Sequence, residues 1–290
     1  MKLAVLSGKG GTGKTFVSVN MAYALACNQD RLGSVSYIDC DVEAPNGSLF
    51  LKPQDTEFAM DSTHVCVRVP SIDKAACNGC RACTQFCAFG ALAFVMDGPL
   101  FFEGMCHSCG GCVRVCPTGA ITETNRSVGE ISRYNIDGLQ AYEGRMNIGE
   151  TSGMPVIEEL LRTCTTSDVN IIDCPPGTAC AAAACVRAAD ACIIVAEPSA
   201  FGAHNMAMAY DLVKFFNKPC AVILNKVEEG INHSREYCSE HGIDILMEIP
   251  FSRQRAQQIS RAQIVAQTDL ELRFQLQQLI KRVINKEVLA

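Results

Sequence analysis

Leu3-Ala4-Val5-Leu6-Ser7-Gly8-Lys9-Gly10-Gly11-Thr12-Gly13-Lys14-Thr15-Phe16-Val17-Ser18-Val19-Asn20-Met21-Ala22 is the stretch that decides the fold. Its apolar opening, Leu3 to Leu6, reads as a short strand, and its close, Phe16 to Ala22, reads as a helix. Between them Gly8, Gly13, Lys14 and Thr15 satisfy the phosphate-loop (P-loop) pattern G-x-x-x-x-G-K-[ST], in the strand–loop–helix context that the pattern requires. Glycines let consecutive backbone N–H groups curl around a phosphate with no Cβ in the way. Gly8, Gly10, Gly11, Thr12 and Gly13 are therefore expected to form the cradle, with the positive end of the following helix aimed at the same anion. Lys14 is expected on the β and γ phosphates of ATP, and the Thr15 hydroxyl on Mg²⁺. A glycine-rich turn with a chance lysine is the alternative, and the flanking strand and helix count against it.

Outward from this stretch, strands are expected at 2–6, 34–39, 169–173, 191–196, 220–225 and 244–249, alternating with helices. That alternation predicts an α/β fold built on a doubly wound, mostly parallel sheet. His64 to Val69 alternates as a further strand. Glu130–Tyr134 and Arg145–Ile148 read as strands or connectors. The tail places Leu272, Phe274, Leu276, Leu279, Ile280, Val283 and Ile284 at helical spacing. Its glutamines and sparse positive charge favour a helix packed on the core over a membrane anchor.

The chain has 290 residues, 48% hydrophobic, enough for one large domain or one domain with a small module. A net charge of -6, a pI near 5.4 and the lack of a lysine- or arginine-rich block argue against nucleic acid as the main partner. No apolar run approaches the ~20 residues of a membrane helix. The amino-terminal stretch has no signal-peptide layout, so the expected location is the cytoplasm. In that compartment eighteen cysteines point to metal or redox chemistry rather than to disulfides.

Eight of those cysteines fall in two matching blocks, each C-x₂-C-x₂-C-x₃-C followed at the same offset by Gly-Ala. The first holds Cys77, Cys80, Cys83 and Cys87, the second Cys106, Cys109, Cys112 and Cys116. Zinc favours pairs of C-x₂-C knuckles separated by a longer loop, which the triple spacing fits poorly. The segment resembles a bacterial-type ferredoxin carrying two [4Fe–4S] clusters. That resemblance implies one cluster on Cys77, Cys80, Cys83 and Cys116, and the other on Cys106, Cys109, Cys112 and Cys87. Ala88 stands where proline often follows the fourth cysteine, whereas Cys116 keeps its Pro117. The domains expected are then an ATPase over 1–69 and 123–290, with an inserted α+β ferredoxin-like module at 70–122.

Lys9, a second lysine early in the loop, narrows the ATPase class. Gly8-Lys9-Gly10-Gly11-Thr12-Gly13-Lys14-Thr15 resembles the deviant phosphate loop of the MinD, ParA, Mrp and nitrogenase iron protein ATPases. That resemblance implies that Lys9 crosses a dimer interface to the partner's nucleotide. Asp39-Cys40-Asp41 at a strand end looks like the family's first switch, with Asp41 positioning water and Asp39 supporting it or the metal shell. Asp173-Cys174-Pro175-Pro176-Gly177 resembles the second switch. There Asp173 holds Mg²⁺ through water, and Gly177 offers its N–H to the γ-phosphate. By the same likeness Asn225 contacts adenine, and Pro250 and Phe251 flank it.

Cys180 and Cys185 admit a dimer-bridging metal pair or small buried side chains, and their five-residue separation favours the second. Burial is also expected for Cys27, Cys40, Cys66, Cys164, Cys174, Cys192, Cys220 and Cys238. Both signatures in one chain suggest a Mg-ATP-hydrolysing dimer, of identical chains or with a similar ATPase, that couples hydrolysis to electron transfer to a redox partner. Two alternatives stay open: an ATP-gated carrier that hands a cluster to an accepting protein, and a positioning ATPase of the MinD or ParA kind.

Overall fold

The computed structural model describes residues 1–27, 33–51, 61–96 and 98–284. The chain runs β1 (Lys2–Leu6), α1 (Lys14–Ala26), β2 (Val35–Asp39), α2 (Gly47–Leu51) and β3 (Asp61–Ile72). The cysteine-rich segment holds α3 (Ala82–Phe86), β4 (Leu92–Val95), β5 (Gly98–Phe101) and α4 (Gly111–Arg114). Then follow β6 (Ile121–Ile136), β7 (Leu139–Met146), α5 (Met154–Thr163), β8 (Val169–Asp173), α6 (Cys180–Ala188), β9 (Ala191–Ala196) and α7 (Ala200–Phe215). The chain closes with β10 (Cys220–Val227), α8 (His233–His241), β11 (Ile245–Pro250), α9 (Arg253–Ser260) and α10 (Leu270–Ile284).

Among the described residues the main sheet has nine strands in the order β11-β10-β9-β1-β8-β2-β7-β6-β3. From β11 to β7 every pairing is parallel, while β7–β6 and β6–β3 are antiparallel. Central strands are apolar on both faces, as a sheet covered by helices on two sides demands. Leu3 and Val5 pack into one layer with α1 and α10, whereas Ala4 and Leu6 pack into the other with α5, α6 and α7. The tail is a core helix, as expected, burying Leu272, Leu276, Leu279, Ile280 and Val283.

The stretch read as strands or connectors is a hairpin, β6–β7, turned at Asp137-Gly138, both with left-handed φ (49° and 84°). A two-residue Asp-Gly loop of that conformation matches the twist of its flanking strands. Residues 73–120 leave and return through β3 and β6, whose final pair is Ile72↔Ile121. The expected strand at 64–69 is the middle of the longer β3. At the tip, the antiparallel pair β4–β5 and helices α3 and α4 enclose a small core of Cys83, Leu92 and Ile121. Among the described residues no helix is long and apolar enough to cross a membrane.

Candidate functional site

The phosphate loop leaves β1 and enters α1 at Lys14, with Gly13 capping at φ 95°. A Cβ on Gly13 would meet the Asn225 amide at 2.1 Å, and one on Gly8 would meet the Asn205 carbonyl on α7 at 1.9 Å. The Asn225 amide donates to the Thr12 carbonyl at 2.8 Å, and the Lys226 ammonium donates to the Gly11 carbonyl at 2.6 Å. The loop is thus held from the carboxyl end of β10. Thr12 is buried, and its hydroxyl has no partner among the described residues.

Beneath the loop lies a buried polar group. Lys14 Nζ donates to Asp173 Oδ1 at 2.6 Å, Ser18 Oγ donates to the same oxygen at 3.0 Å, and the Tyr37 hydroxyl donates to Oδ2 at 2.8 Å. Asp173 is fully buried and Lys14 is 6% exposed. Burial works against the Lys14 ammonium, but attraction to Asp173 and Asp39 outweighs it and raises its pKa. Asp39 stands beside Asp173 in register and is also fully buried. Burial and the Asp173 charge push its carboxyl to about 7, even though Lys14 pulls the other way. Its oxygens accept N–H groups of Asp41, Asn46 and Gly47, so Asp39 shapes the loop after β2. Asp41 reaches the pocket, with its carboxyl raised by burial against the pull of Lys14.

A cavity of about 620 Å³ opens over this group. It is walled by Lys9, Gly10, Gly11, Gly13, Lys14 and Thr15 of the loop, by Asp41 and Pro176, and by Ile249, Pro250 and Phe251. Asn225 also lines it, against the loop at Thr12 and Gly13. The structure therefore brings Gly10, Gly11, Gly13, Lys14, Thr15, Asp41, Asn225, Pro250 and Phe251 of the expected residues to one cavity, while Gly8, Thr12 and Asp39 do not line it. Asp173 does not line it, being covered by Lys14, and Gly177 (φ 85°) donates its N–H to the Ser7 carbonyl at 2.9 Å. Tyr37 and Ser18, which fix Asp173, escaped the sequence reading. So did Lys226 and Arg255, the latter a pocket residue held by Asp269 at 2.9 Å. Lys9 turns inward within its own chain, paired with Glu197 and 4.6 Å over the Phe201 ring.

Residues 3–265 match the family described as the CobQ/CobB/MinD/ParA nucleotide binding domain. The chain belongs to this family. It is 30% identical over 231 residues to the uncharacterized protein MJ0579 of Methanocaldococcus jannaschii, covering 78% of this chain and 80% of the relative. MJ0578 of the same organism is 30% identical over 238 residues, 80% of each chain. Among solved structures, the cell division ATPase MinD of Pyrococcus furiosus superposes with a TM-score of 0.60 at 15% identity, over 97% of this chain and 98% of that one. MinD of Pyrococcus horikoshii, complexed with Mg-ADP, gives 0.58 at 15% identity over 98% and 96%. The fold is that of the MinD/ParA P-loop ATPases.

The cysteine-rich segment of this family member is a structural as well as a sequence repeat. Left-handed φ recurs at equal offsets in the two blocks: Gly79 and Ser108, Arg81 and Gly110, Gly90 and Gly119. Cys87, Cys106, Cys109 and Cys112 line a cavity of about 230 Å³, together with Phe86, Phe89 and His107. These four are the residues grouped for one cluster in the sequence reading. Burial raises the Cys112 thiol, and its neighbours Cys106 and Cys109 add to the shift. Burial likewise raises Cys83, beside Cys77 and Cys116 of the other group, while Cys80 is exposed. Burial acts upward on Cys116 too, but hydrogen bonds from Thr118 and nearby backbone N–H groups lower it on balance. The Ser108 N–H donates to Cys106 Sγ at 3.4 Å. Among the described residues no three His, Cys, Asp or Glu side chains gather closely enough to hold a single metal ion.

The remaining cysteines need one correction. Cys40, Cys164, Cys174, Cys185, Cys192 and Cys238 are buried as expected, whereas Cys66 and Cys180 are exposed and Cys27 and Cys220 intermediate. Cys66 lies on β3 beside the register shift of the edge ribbon, where only one side is covered. Cys180 opens α6 on its exposed side, while Cys185 packs inward against Cys174 and Cys40.

Proposed function

We propose that the protein is a Mg-ATP-hydrolysing ATPase whose nucleotide cycle, run in a dimer, controls electron delivery from two [4Fe–4S] clusters to a partner protein. The observation that carries this reading is the cysteine-lined cavity at the tip of a ribbon that is continuous with the ATPase sheet. Its lining suits the group: four cysteines stand among the residues that wall one cavity, and an N–H···S bond is available to a thiolate. Two non-glycine residues, Arg81 and Ser108, adopt left-handed backbone there (φ 62° and 55°). Strain of that kind persists where a local geometry is needed. Cys87, Cys106, Cys109 and Cys112 would hold one cluster, and Cys77, Cys80, Cys83 and Cys116 the other. Bound clusters supply one-electron transfer.

The loop amides and Lys14 bind the nucleotide phosphates, and the Thr15 hydroxyl would hold the magnesium ion, which would supply charge neutralisation at the phosphates. Phosphate draws the Lys14 ammonium from Asp173, whose carboxylate would then be available to that ion. Asp41 then orients the attacking water at the pocket wall. Lys9 exchanges Glu197 for a partner's nucleotide when two chains meet. Asn225, Pro250 and Phe251 hold adenine.

The reading as a positioning ATPase is favoured by the likeness to the MinD and ParA structures and is kept beside the first. The ATP-gated carrier would share the same cavities. Anaerobically prepared protein decides among them through iron and sulfide content, visible spectrum and ATPase rate. Firmly held iron with reduction dependent on ATP supports redox coupling. Iron passed to an apo acceptor on ATP addition supports the carrier. Iron-free protein with ATP hydrolysis supports the positioning ATPase.

A further inference from the structure

Arg126 sits on β6 where the ribbon passes between the sheet and the cysteine-rich segment. Its guanidinium forks onto Glu150, with Nη2 to Oε2 at 3.0 Å and a closer Nη1 contact to Oε1. Glu150 belongs to the loop between β7 and α5. The third guanidinium nitrogen, Nε, stands 3.4 Å from Glu103 but makes no hydrogen bond among the described residues, although it is buried. Glu103 opens the helical turn that runs into Cys106, whose N–H donates to the Glu103 carbonyl at 3.1 Å. One cation is therefore shared between two carboxylates, one from the cysteine-rich segment and one from the loop before α5, satisfied by the second and only approached by the first.

On its far side Glu150 is tied to the nucleotide pocket. Its N–H donates to the Asn147 carbonyl at 3.2 Å, and the Met146 N–H donates to the Val42 carbonyl at 3.0 Å. Val42 follows Asp41, which lines the pocket, and it packs against Gly144 and Gly153, where a Cβ would come within 2.9 and 2.3 Å of it. A shift of the Asp41 loop thus has little free space before it displaces the loop that carries Glu150. Close-packed contacts of this kind favour discrete rearrangement over gradual give.

We propose that Arg126 is the joint through which occupancy of the nucleotide pocket reaches the cysteine-lined cavity, its fork moving between Glu150 and Glu103. This rests on the reading of the pocket as a nucleotide site; it does not need the cavity to hold iron. Arg126 is a positioning residue and touches neither ligand.

Hydrogen–deuterium exchange on the full-length protein, prepared anaerobically, tests the joint. Exchange at 103–115 is followed with and without Mg²⁺ and a non-hydrolysable ATP analogue, with iron and nucleotide affinity measured on the same samples. Wild type is expected to change exchange there by about fivefold or more, the lower end of ordinary couplings. Arg126→Gln is expected to cut the change below about twofold while nucleotide affinity stays within about threefold, since the residue is off the pocket. Glu103→Gln, on a side chain 58% exposed, repeats the loss without threatening the fold. A wild-type-sized response in both variants, or no response in wild type that binds the analogue, overturns the joint. An intact response in iron-free protein would instead remove the cluster reading and leave the joint standing. Iron-bearing protein whose response survives both substitutions would do the reverse.

Discussion

Removing the Lys14 side chain tests whether the buried polar group beneath the loop is assembled before nucleotide arrives. Lys14 neutralises Asp173, which has no exposure to water and, among the described residues, keeps Ser18 and Tyr37 as its other side-chain partners. Breaking a buried pair by deleting one partner leaves an uncompensated charge, at about 3–5 kcal/mol. For domains of about 150–250 residues each kcal/mol moves Tm by about 2–4 °C, so Lys14→Ala should melt roughly 6–20 °C lower. Asp173→Asn added to Lys14→Ala should restore part of the loss, with a coupling of about 1–3 kcal/mol for groups in direct contact. The assay is calorimetric or fluorescence melting of nucleotide-free protein in chelator at fixed pH. A Tm within about 2 °C of wild type, or strictly additive losses, would refute the pairing and with it the idea that phosphate displaces Lys14 from Asp173.

Asp39 gives a pH dependence. Its carboxyl rises from 3.8 to about 7 on folding, so the folded state holds that proton more tightly. Its contribution to stability is full below about pH 4 and is lost as pH rises through about 7; melting from pH 5 to 8 in wild type and Asp39→Asn should show the decline flatten in the variant. Gly13→Ala should weaken nucleotide binding at least about tenfold by calorimetry, because its Cβ would fall 2.1 Å from the Asn225 amide at a left-handed position. Arg81→Gly and Ser108→Gly should each raise the melting stability of metal-free protein by about 1 kcal/mol, by relieving left-handed backbone. Cys109→Ser should roughly halve the iron bound, whereas Cys66→Ser should leave it unchanged, by metal analysis of anaerobic protein.

Much of this architecture is visible in the residues because local pattern and global fold agree. The β1–α1 stretch carries its glycine motif between two apolar runs, the central strands are short continuous apolar runs, and the tail carries a helical period. Asn225 could be put at the cavity because a parallel sheet places its strand ends at the ligand crevice, whereas Asp173, also at a strand end, lies beneath Lys14 and off the cavity wall. The β6–β7 hairpin was not read because its charged residues, Glu130, Arg133 and Arg145, break the alternation near the sheet's edge. The Asp137-Gly138 turn was the available signal, and it went unused. Tyr37 and Ser18 look like ordinary core and helix residues; only packing reveals that they hold Asp173. The resting contacts of Lys9 with Glu197 and Phe201 join residues far apart in sequence, with no local trace. The paired blocks announced the cysteine cavity, but the matching left-handed positions at Arg81 and Ser108 did not follow from residue type.

The central claim is that the nucleotide pocket and the cysteine-lined cavity influence each other. The reduction potential of anaerobically prepared protein, titrated with and without Mg-ATP, tests it most directly. A shift of about 60 mV, a tenfold coupling for one electron, present in wild type and absent in Lys14→Ala, is the predicted result. Protein that shows no redox centre, or one potential whatever the nucleotide, would contradict it.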